Sequence, residues 1–497
     1  MKLLHALLPL IFFSQLTLAQ NTEKLDWSNK FKIGKSEIYG KGSILMDTPS
    51  HLLGVVNGIL IYKSFDTVYG IENGKIVYQH KTKTKYSDGE QILLFQNRLL
   101  YFSIKKRDLL LTEHNLDTGE PIGQPVQLIK DLSEKNFFIR SQKNEHFVML
   151  IFHSGNLSLD EASPCFRYLT LNSELKVIHS NLVNNELKGS KKEGEHLPIL
   201  IDDGRVLFFY KEKENGDYNF KIHSSDGIID GRYKVPKGIY EDQELKNDPE
   251  LFLLDNGDIK AYWTFMDSEK KFSSDESKRT FKTTSFTIDL NGNVTDENLS
   301  SPFATYPDSY KRDGLLDAQA RGFELRQRKG YLLKSEGAYV GLAENELRIS
   351  DMTSASALDN KLYLNEIFVY KLDSEDEILW SHIIRKRQAG MLNYGSFVSF
   401  ISGNNLLILF NDHPSNYKND IFSVPDDKLL SHPGIKKRVV AMVKINLNTG
   451  DCTRKNIHVI EDRSDFIAPT DYYETDSKVY ILSGFPSGSK ILSLEKN

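Results

Sequence analysis

The stretch 361–412, KLYLNEIFVYKLDSEDEILWSHIIRKRQAGMLNYGSFVSFISGNNLLILFND, contains four short apolar runs: Ile367–Leu372, Ile378–Ile384, Phe397–Ile401 and Leu406–Phe410. Asp373–Asp376 and Gly403–Asn405 break two of the joins, and the longer Arg385–Gly395 breaks the third. Runs of this length, rich in Ile, Val, Leu and Phe and closed by Asp, Asn, Ser and Gly, are strand and hairpin signals. The same theme recurs along the whole chain. It points to an architecture and carries no chemistry of its own.

Working outward, each unit has an apolar run, a tight polar turn, a second apolar run, and then a longer strand pair. LLGVVNGILIYKS turns at Asn57-Gly58, LPILIDDGRVLFFY at Asp203-Gly204 and LFLLDNGDIKAYWTF at Asn256-Gly257. Such dipeptides between apolar alternations favour hairpins because a type I′ turn needs positive φ at both central residues. Asp117-Thr118-Gly119, Asn291-Gly292 and Asn448-Thr449-Gly450 mark the outer hairpins. First turns near 57, 97, 144, 203, 256, 329, 404 and 476 give a period of about 40–75 residues with about four strands each, the signature of a β-propeller.

The expected fold is therefore all-β, a β-propeller of eight four-stranded blades, with seven as the alternative count. Two packed sandwiches, or a propeller followed by a small β domain, are the competing architectures. The eighth unit, TDYYETDSKVYILS and KILSLEK, lacks its last strand. An N-terminal strand from Phe31–Met46 is expected to complete that blade and close the ring, removing exposed sheet edges.

Met1–Gln20 reads as an export signal. Lys2 supplies a positive n-region, Leu3–Phe13 is an apolar core too short to span a bilayer, and Thr17-Leu18-Ala19 predicts cleavage before Gln20. The organisation is then a signal peptide at 1–19 and one propeller domain at 20–497, located in the periplasm or outside the cell. No later stretch reaches the roughly 20 apolar residues of a membrane helix.

In 497 residues, 63 Lys+Arg stand against 68 Asp+Glu, a formal charge of −5. That balance argues against a nucleic-acid partner, which would normally bring a basic surplus. Evenly spread apolar residues argue against disorder. Cys165 and Cys452 fall in units three and seven. A disulfide needs Cα atoms within about 7 Å, so these are expected to be two separate thiols, buried or inert.

Long insertions are expected at 267–279, 299–320, 342–360 and 411–436, all in units five to seven. Binding residues concentrate on such loops of a rigid scaffold. The last carries His413, Tyr417, Phe422 and His432. No G-x-S-x-G, H-E-x-x-H, P-loop, C-x-x-C or EF-hand pattern occurs, and the thirteen histidines lack metal-ligand spacing. No metal or cofactor is expected. Ser374–Trp380, SEDEILW, resembles the Asp-box of sialidase-type propellers without its turn glycine, and Trp380 reads as blade core.

Gly330-Tyr331-Leu332-Leu333 with Glu336, then Asn365-Glu366-Ile367-Phe368-Val369, Trp380, Lys386-x-Gln388 and Phe410-Asn411-Asp412, resembles a group of exported propeller-like bacterial proteins of unknown function. The resemblance covers residues 330–412 and implies no activity. Positions matching it, Glu336, Lys386, Gln388, Asn411 and Asp412, are the ligand-binding candidates, with hydrogen bonding between blades as their other reading. Two functions follow. The first is a non-enzymatic, monomeric exported scaffold that binds a protein or glycan. The second is a carbohydrate-active hydrolase or lyase with carboxylates at the central channel.

Overall fold

A computed structural model describes residues 25–27, 51–64, 67–73, 75–81, 91–132, 137–154, 166–183, 198–211, 218–234, 249–268, 279–303, 323–349, 361–389, 395–424, 430, 438–460, 466–485 and 488–496. These form eight antiparallel sheets, seven built on four-strand meanders spanning 51–81, 91–129, 137–183, 199–233, 250–303, 323–384 and 398–460, and an eighth with three strands in 467–495 and its fourth from Leu25–Trp27. The fold is an eight-bladed β-propeller. Blade six gains a fifth strand, Gln388–Ala389, on Lys361–Leu372. Blade seven gains a small hairpin, Tyr417–Lys418 with Ile421–Phe422, through Ile421 and Lys455.

The ring closes between the two chain ends. Leu25–Trp27 pairs antiparallel with Gly488–Glu495, matching Leu25 to Leu494 and Trp27 to Leu492. The closing strand is thus N-terminal, as expected, but it lies upstream of Phe31–Met46, a segment outside the described residues. A three-residue strand is too short to show a period in the sequence. Its position is set by the partner edge it satisfies.

Apolar residues pack between blades and not within a common centre. Eight buried clusters are seen among the described residues, one at each junction of neighbouring blades. The cluster joining blades one and eight pairs Leu52, Tyr62 and Ile71 with Leu482 and Ile491. Middle strands are buried on both faces, as in Asn405–Asp412, whereas an outer strand such as Pro121–Ile129 is mostly exposed. That explains the continuous runs of LLILF type: a strand covered on both sides needs no polar alternation.

Antiparallel order places alternate connections on opposite faces. On one, here the turn face, connections are tight: 57–58, 96–97, 254–258, 289–293, 373–377 and 446–451. On the other, the loop face, successive strands are separated by 155–165, 184–198, 234–249, 269–278, 304–322, 350–360 and 413–437, and by shorter intervals such as 65–66, 106–107, 212–217, 461–466 and 486–487. The described strands that flank the four expected insertions end on the loop face. Strands occupy part of the insertions, because Val294–Phe303 and Ala338–Ile349 continue into 299–303 and 342–349. The polar ends of these strands, ENLSS and ENEL, hide the pairing.

The turn face repeats one joint. Asn115 Oδ1 accepts from the amides of Asp117 and Thr118, and Asn446 Oδ1 accepts from Asn448 and Thr449. The glycines that follow, Gly119 and Gly450, have φ of 73° and 75°, which a residue with a Cβ resists. A Cβ on Gly450 would also stand 2.8 Å from Trp380 of blade six. Trp380 Nε1 donates to Leu447 O, and His382 Nε2 lies 2.6 Å from Gly450 O. Trp380 packs on the blade six–seven cluster, in keeping with its reading as core.

Cys452 is a free, exposed thiol, raised in pKa by burial of its sulfur side and partly countered by Arg454. Of the two expected states, buried or inert, burial does not hold: its strand, Cys452–Ile460, is the outer one of blade seven. Cys165 lies outside the described residues. Among the described residues, no helix is long and apolar enough to cross a membrane.

Candidate functional site

Beneath the loop face of blades six to eight lies a connected set of buried polar groups. Glu344 is fully buried in a middle strand, where ENE interrupts an apolar run. Lys386 Nζ stands 2.6 Å from its Oε1, and Arg328 stands 2.6 Å from its Oε2, which also accepts from Ser396 Oγ at 2.7 Å. Burial would raise the Glu344 carboxyl, yet Lys386 and Arg328 hold it below the usual carboxylate range. Glu344 therefore stays ionised and has no proton to give.

The network continues through the candidates read from the sequence. Lys386 Nζ also donates to Gln388 Oε1 at 2.8 Å and Leu364 O at 3.2 Å. Gln388 Nε2 donates to Asn411 O at 2.9 Å, and its Oε1 receives the Ser396 amide at 2.8 Å. Asn411 Nδ2 reaches Ile467 O of blade eight at 2.7 Å. Asp412 accepts from the His413 amide, Asn416 Nδ2 and Tyr417 OH, and pairs with Arg454. Burial and the Asp412 charge push the Tyr417 phenol up, so it remains a donor.

Lys386, Gln388, Asn411 and Asp412 are thus brought together, each 4% exposed or less. Glu336 is not with them. It sits in the turn-face hairpin of blade six and accepts from the buried Lys371 Nζ at 2.5 Å, while that ammonium also donates to Leu447 O of blade seven. All five make hydrogen bonds inside the protein. Sequence reading missed Glu344 and Arg328, although charged residues inside a buried strand were the available signal.

Around the centre, the inner strands of blades six, seven and eight meet at Lys329. Its Nζ is 2.9 Å from Glu474 Oε2 and 3.3 Å from both Ser399 O and Tyr472 OH. Lys496 takes the other Glu474 oxygen at 2.9 Å. Burial would raise Glu474, and the two lysines bring it below its ordinary value. Across the ring, the part-buried Lys143 ammonium donates to Leu94 O, and burial depresses it to about 8. Among the described residues, no group of three or more His, Cys, Asp or Glu side chains is placed to hold a metal ion.

A separate cleft of about 560 Å³ opens between blades five and six on the turn face, with Asp376, Tyr262, Glu297 and Lys334 in its lining. Asp376 Oδ2 is 2.8 Å from Lys260 Nζ and 2.6 Å from Ser285 Oγ.

No family model matches the chain, and no curated protein matches it. Among solved structures, it is similar to the polysaccharide lyase Uly1, with 11% identity, TM-score 0.37, and 84% of this chain and 92% of that one covered. It is similar to a eukaryotic initiation factor at 9% identity and TM-score 0.38, covering 88% and 92%. The N-terminal domain of Nup159 gives 10% identity and TM-score 0.37, with 96% of each chain covered. At such values no ligand or chemistry passes from these proteins to this chain, whose fold rests on its own strand pairing.

Proposed function

We propose that the chain is an exported, non-catalytic β-propeller that binds a protein or glycan on its loop face. The observation that carries this reading is the gathering of the long connections on one face, over a base of interlocked ion pairs spanning blades six to eight. Binding residues concentrate where variable loops stand on rigid support. Lys386, Gln388, Asn411 and Asp412 then act as that support, holding the roots of the loops. Cleavage before Gln20 would spare Leu25–Trp27, so the mature chain keeps its closing strand.

The buried network and the Lys329 cluster hold their carboxylates in the ionised form. A general acid at neutral pH needs a raised carboxyl pKa, whereas Glu344 and Glu474 are both held down by cations. The test uses residues 20–497, screened on a glycan array and by crosslinking pull-down, with product analysis of any polysaccharide bound. A variant with 269–278 and 304–322 replaced by Asn-Gly turns should lose the ligand and keep its melting temperature. Retained binding in that variant, or release of shortened or unsaturated saccharides by the intact protein, would overturn the reading.

A further inference from the structure

We infer that Lys143, at the turn-face mouth of the central channel, is a site for reversible covalent capture of an aldehyde through an imine. Lys143 ends the inner strand of blade three, Phe137–Lys143, next to the turn at 144–147. Its Nζ donates to Leu94 O of blade two and lies 5.9 Å from the centre of the Tyr473 ring of blade eight. Blades one and two stand between blades eight and three, so the side chain reaches over the channel and not along its own wall. Leu94 and Tyr473 converge at Gly54 of blade one, where an added Cβ would stand 2.3 Å from Leu94 Cδ2 and 3.2 Å from Tyr473 Cε2. The inner strands of four successive blades thus build one corner of the channel around this amine.

Lys143 differs from the other lysines of the interior in what it faces. Lys329, Lys371 and Lys386 each pair with a carboxylate, Glu474, Glu336 and Glu344 in turn. Among the described residues no carboxylate pairs with Lys143, whose ammonium has a carbonyl oxygen and a ring for neighbours. An ammonium drawn out of water without a counter-charge gives up its proton more readily, and the amine becomes a nucleophile near neutral pH. Burial accordingly lowers Lys143 to about 8. Roughly a tenth of it is free base at pH 7, against a few in ten thousand for an ordinary lysine. Burial also raises the Tyr473 phenol, which stays neutral beside it. The next ionisable residues of its own hairpin, Glu145 and His146, are exposed and lie 3.9 Å from each other.

The residue as a whole is exposed while its ammonium is part-buried, so a small molecule reaches the amine from the channel mouth. The neutral amine gives its lone pair to the carbonyl carbon, a C–N bond forms, and the carbonyl oxygen takes the proton that nitrogen releases. Loss of that oxygen as water leaves the imine, and hydrolysis returns both partners with no oxidant or reductant. The half-buried Tyr473 ring offers the incoming group a face to stack on, which suits an aromatic aldehyde. This inference rests on neither the loop face nor export.

The probe is benzaldehyde with sodium cyanoborohydride, which adds hydride to an imine and fixes it as a benzylated secondary amine. It is applied to residues 20–497, and the adducts are located by peptide mapping. With benzaldehyde below one equivalent at pH 7, the peptide carrying Lys143 should be benzylated at least tenfold faster than the one carrying Lys176. Lys176 is an exposed lysine that Glu174 holds in its charged form. The ratio of the two rates should fall as pH rises from 7 to 10, because Lys176 gains free base over that range and Lys143 gains little. Lys143→Arg should remove the first adduct and leave the slower ones and the melting temperature unchanged. Equal labelling of the two peptides, a ratio that does not fall with pH, or an undiminished first adduct in Lys143→Arg would overturn the assignment.

Discussion

Asp471 of blade eight is buried beside blade one, where its Oδ1 accepts the Leu52 amide at 2.6 Å. Burial raises its carboxyl to about 7, with the Leu52 hydrogen bond opposing. A raised carboxyl favours the protonated folded state, so stability falls as pH rises from about 4 through about 7 and stays reduced above. Asp471→Asn keeps an acceptor for Leu52 and removes the charge. It should stabilise the protein by about 2–4 kcal/mol at pH 8 and by almost nothing at pH 4. Urea unfolding at the two pH values checks this, and equal effects at both would refute it.

The Lys386–Glu344 pair behaves oppositely, since each charge there depends on its neighbour. Lys386→Met should cost about 3–5 kcal/mol, because it leaves Glu344 buried with less compensation. Lys386→Met with Glu344→Leu should recover much of that loss, because Arg328 can turn to Glu346, 3.5 Å away. A double variant as unstable as the single one would contradict this.

At the scale of the strand and turn, the joint at Gly450 sets a clear comparison. Gly450→Ala meets both a left-handed backbone and the Trp380 ring, whereas Gly58, at φ 82°, has open space around its Cβ position. Gly58→Ala should cost about 1 kcal/mol for the backbone alone. Gly450→Ala should cost at least about 2 kcal/mol and shift tryptophan emission. Similar costs and unchanged emission would show that the ring does not press on the turn.

These turns are also where the sequence was most legible. Asn-Gly, Asp-Gly and Asx-x-x-Gly signals act within five residues, so hairpins such as those at 57–58, 254–258 and 446–451 could be read directly, whereas the first turn of unit six, expected near 329, lies at 334–337 because the strand Phe323–Leu333 runs on through Lys329-Gly330. The polar network could not. Glu344 and Lys386 are 42 positions apart, and nothing local pairs them. Four of the five candidates converged because they flank the ends of neighbouring strands, while Glu336 lies in a turn on the opposite face.

For the whole molecule, the ring is held by Leu25–Trp27 on Gly488–Glu495 and by the Leu52–Asp471 contact. Starting the chain at residue 29 should lower the melting temperature and promote self-association, because the Gly488–Glu495 edge is then unpaired. Size-exclusion chromatography and thermal melts check this, and a peptide covering 22–29 added in trans should reverse part of the loss. A truncated chain that stays monomeric and equally stable would show that closure relies on packing alone.

The pairing of Leu25 with Leu494 means that the first strand among the described residues waits during synthesis for the last of them. Until Gly488–Glu495 has been made, that strand lacks this partner, and joining it closes a loop from Leu25 to Leu494, a slow event for contacts so distant along the chain. A leader attached just upstream would hold the waiting strand beside the translocation machinery throughout this interval. On the proposed reading of an exported chain, completion of the fold would be deferred until after the polypeptide has crossed.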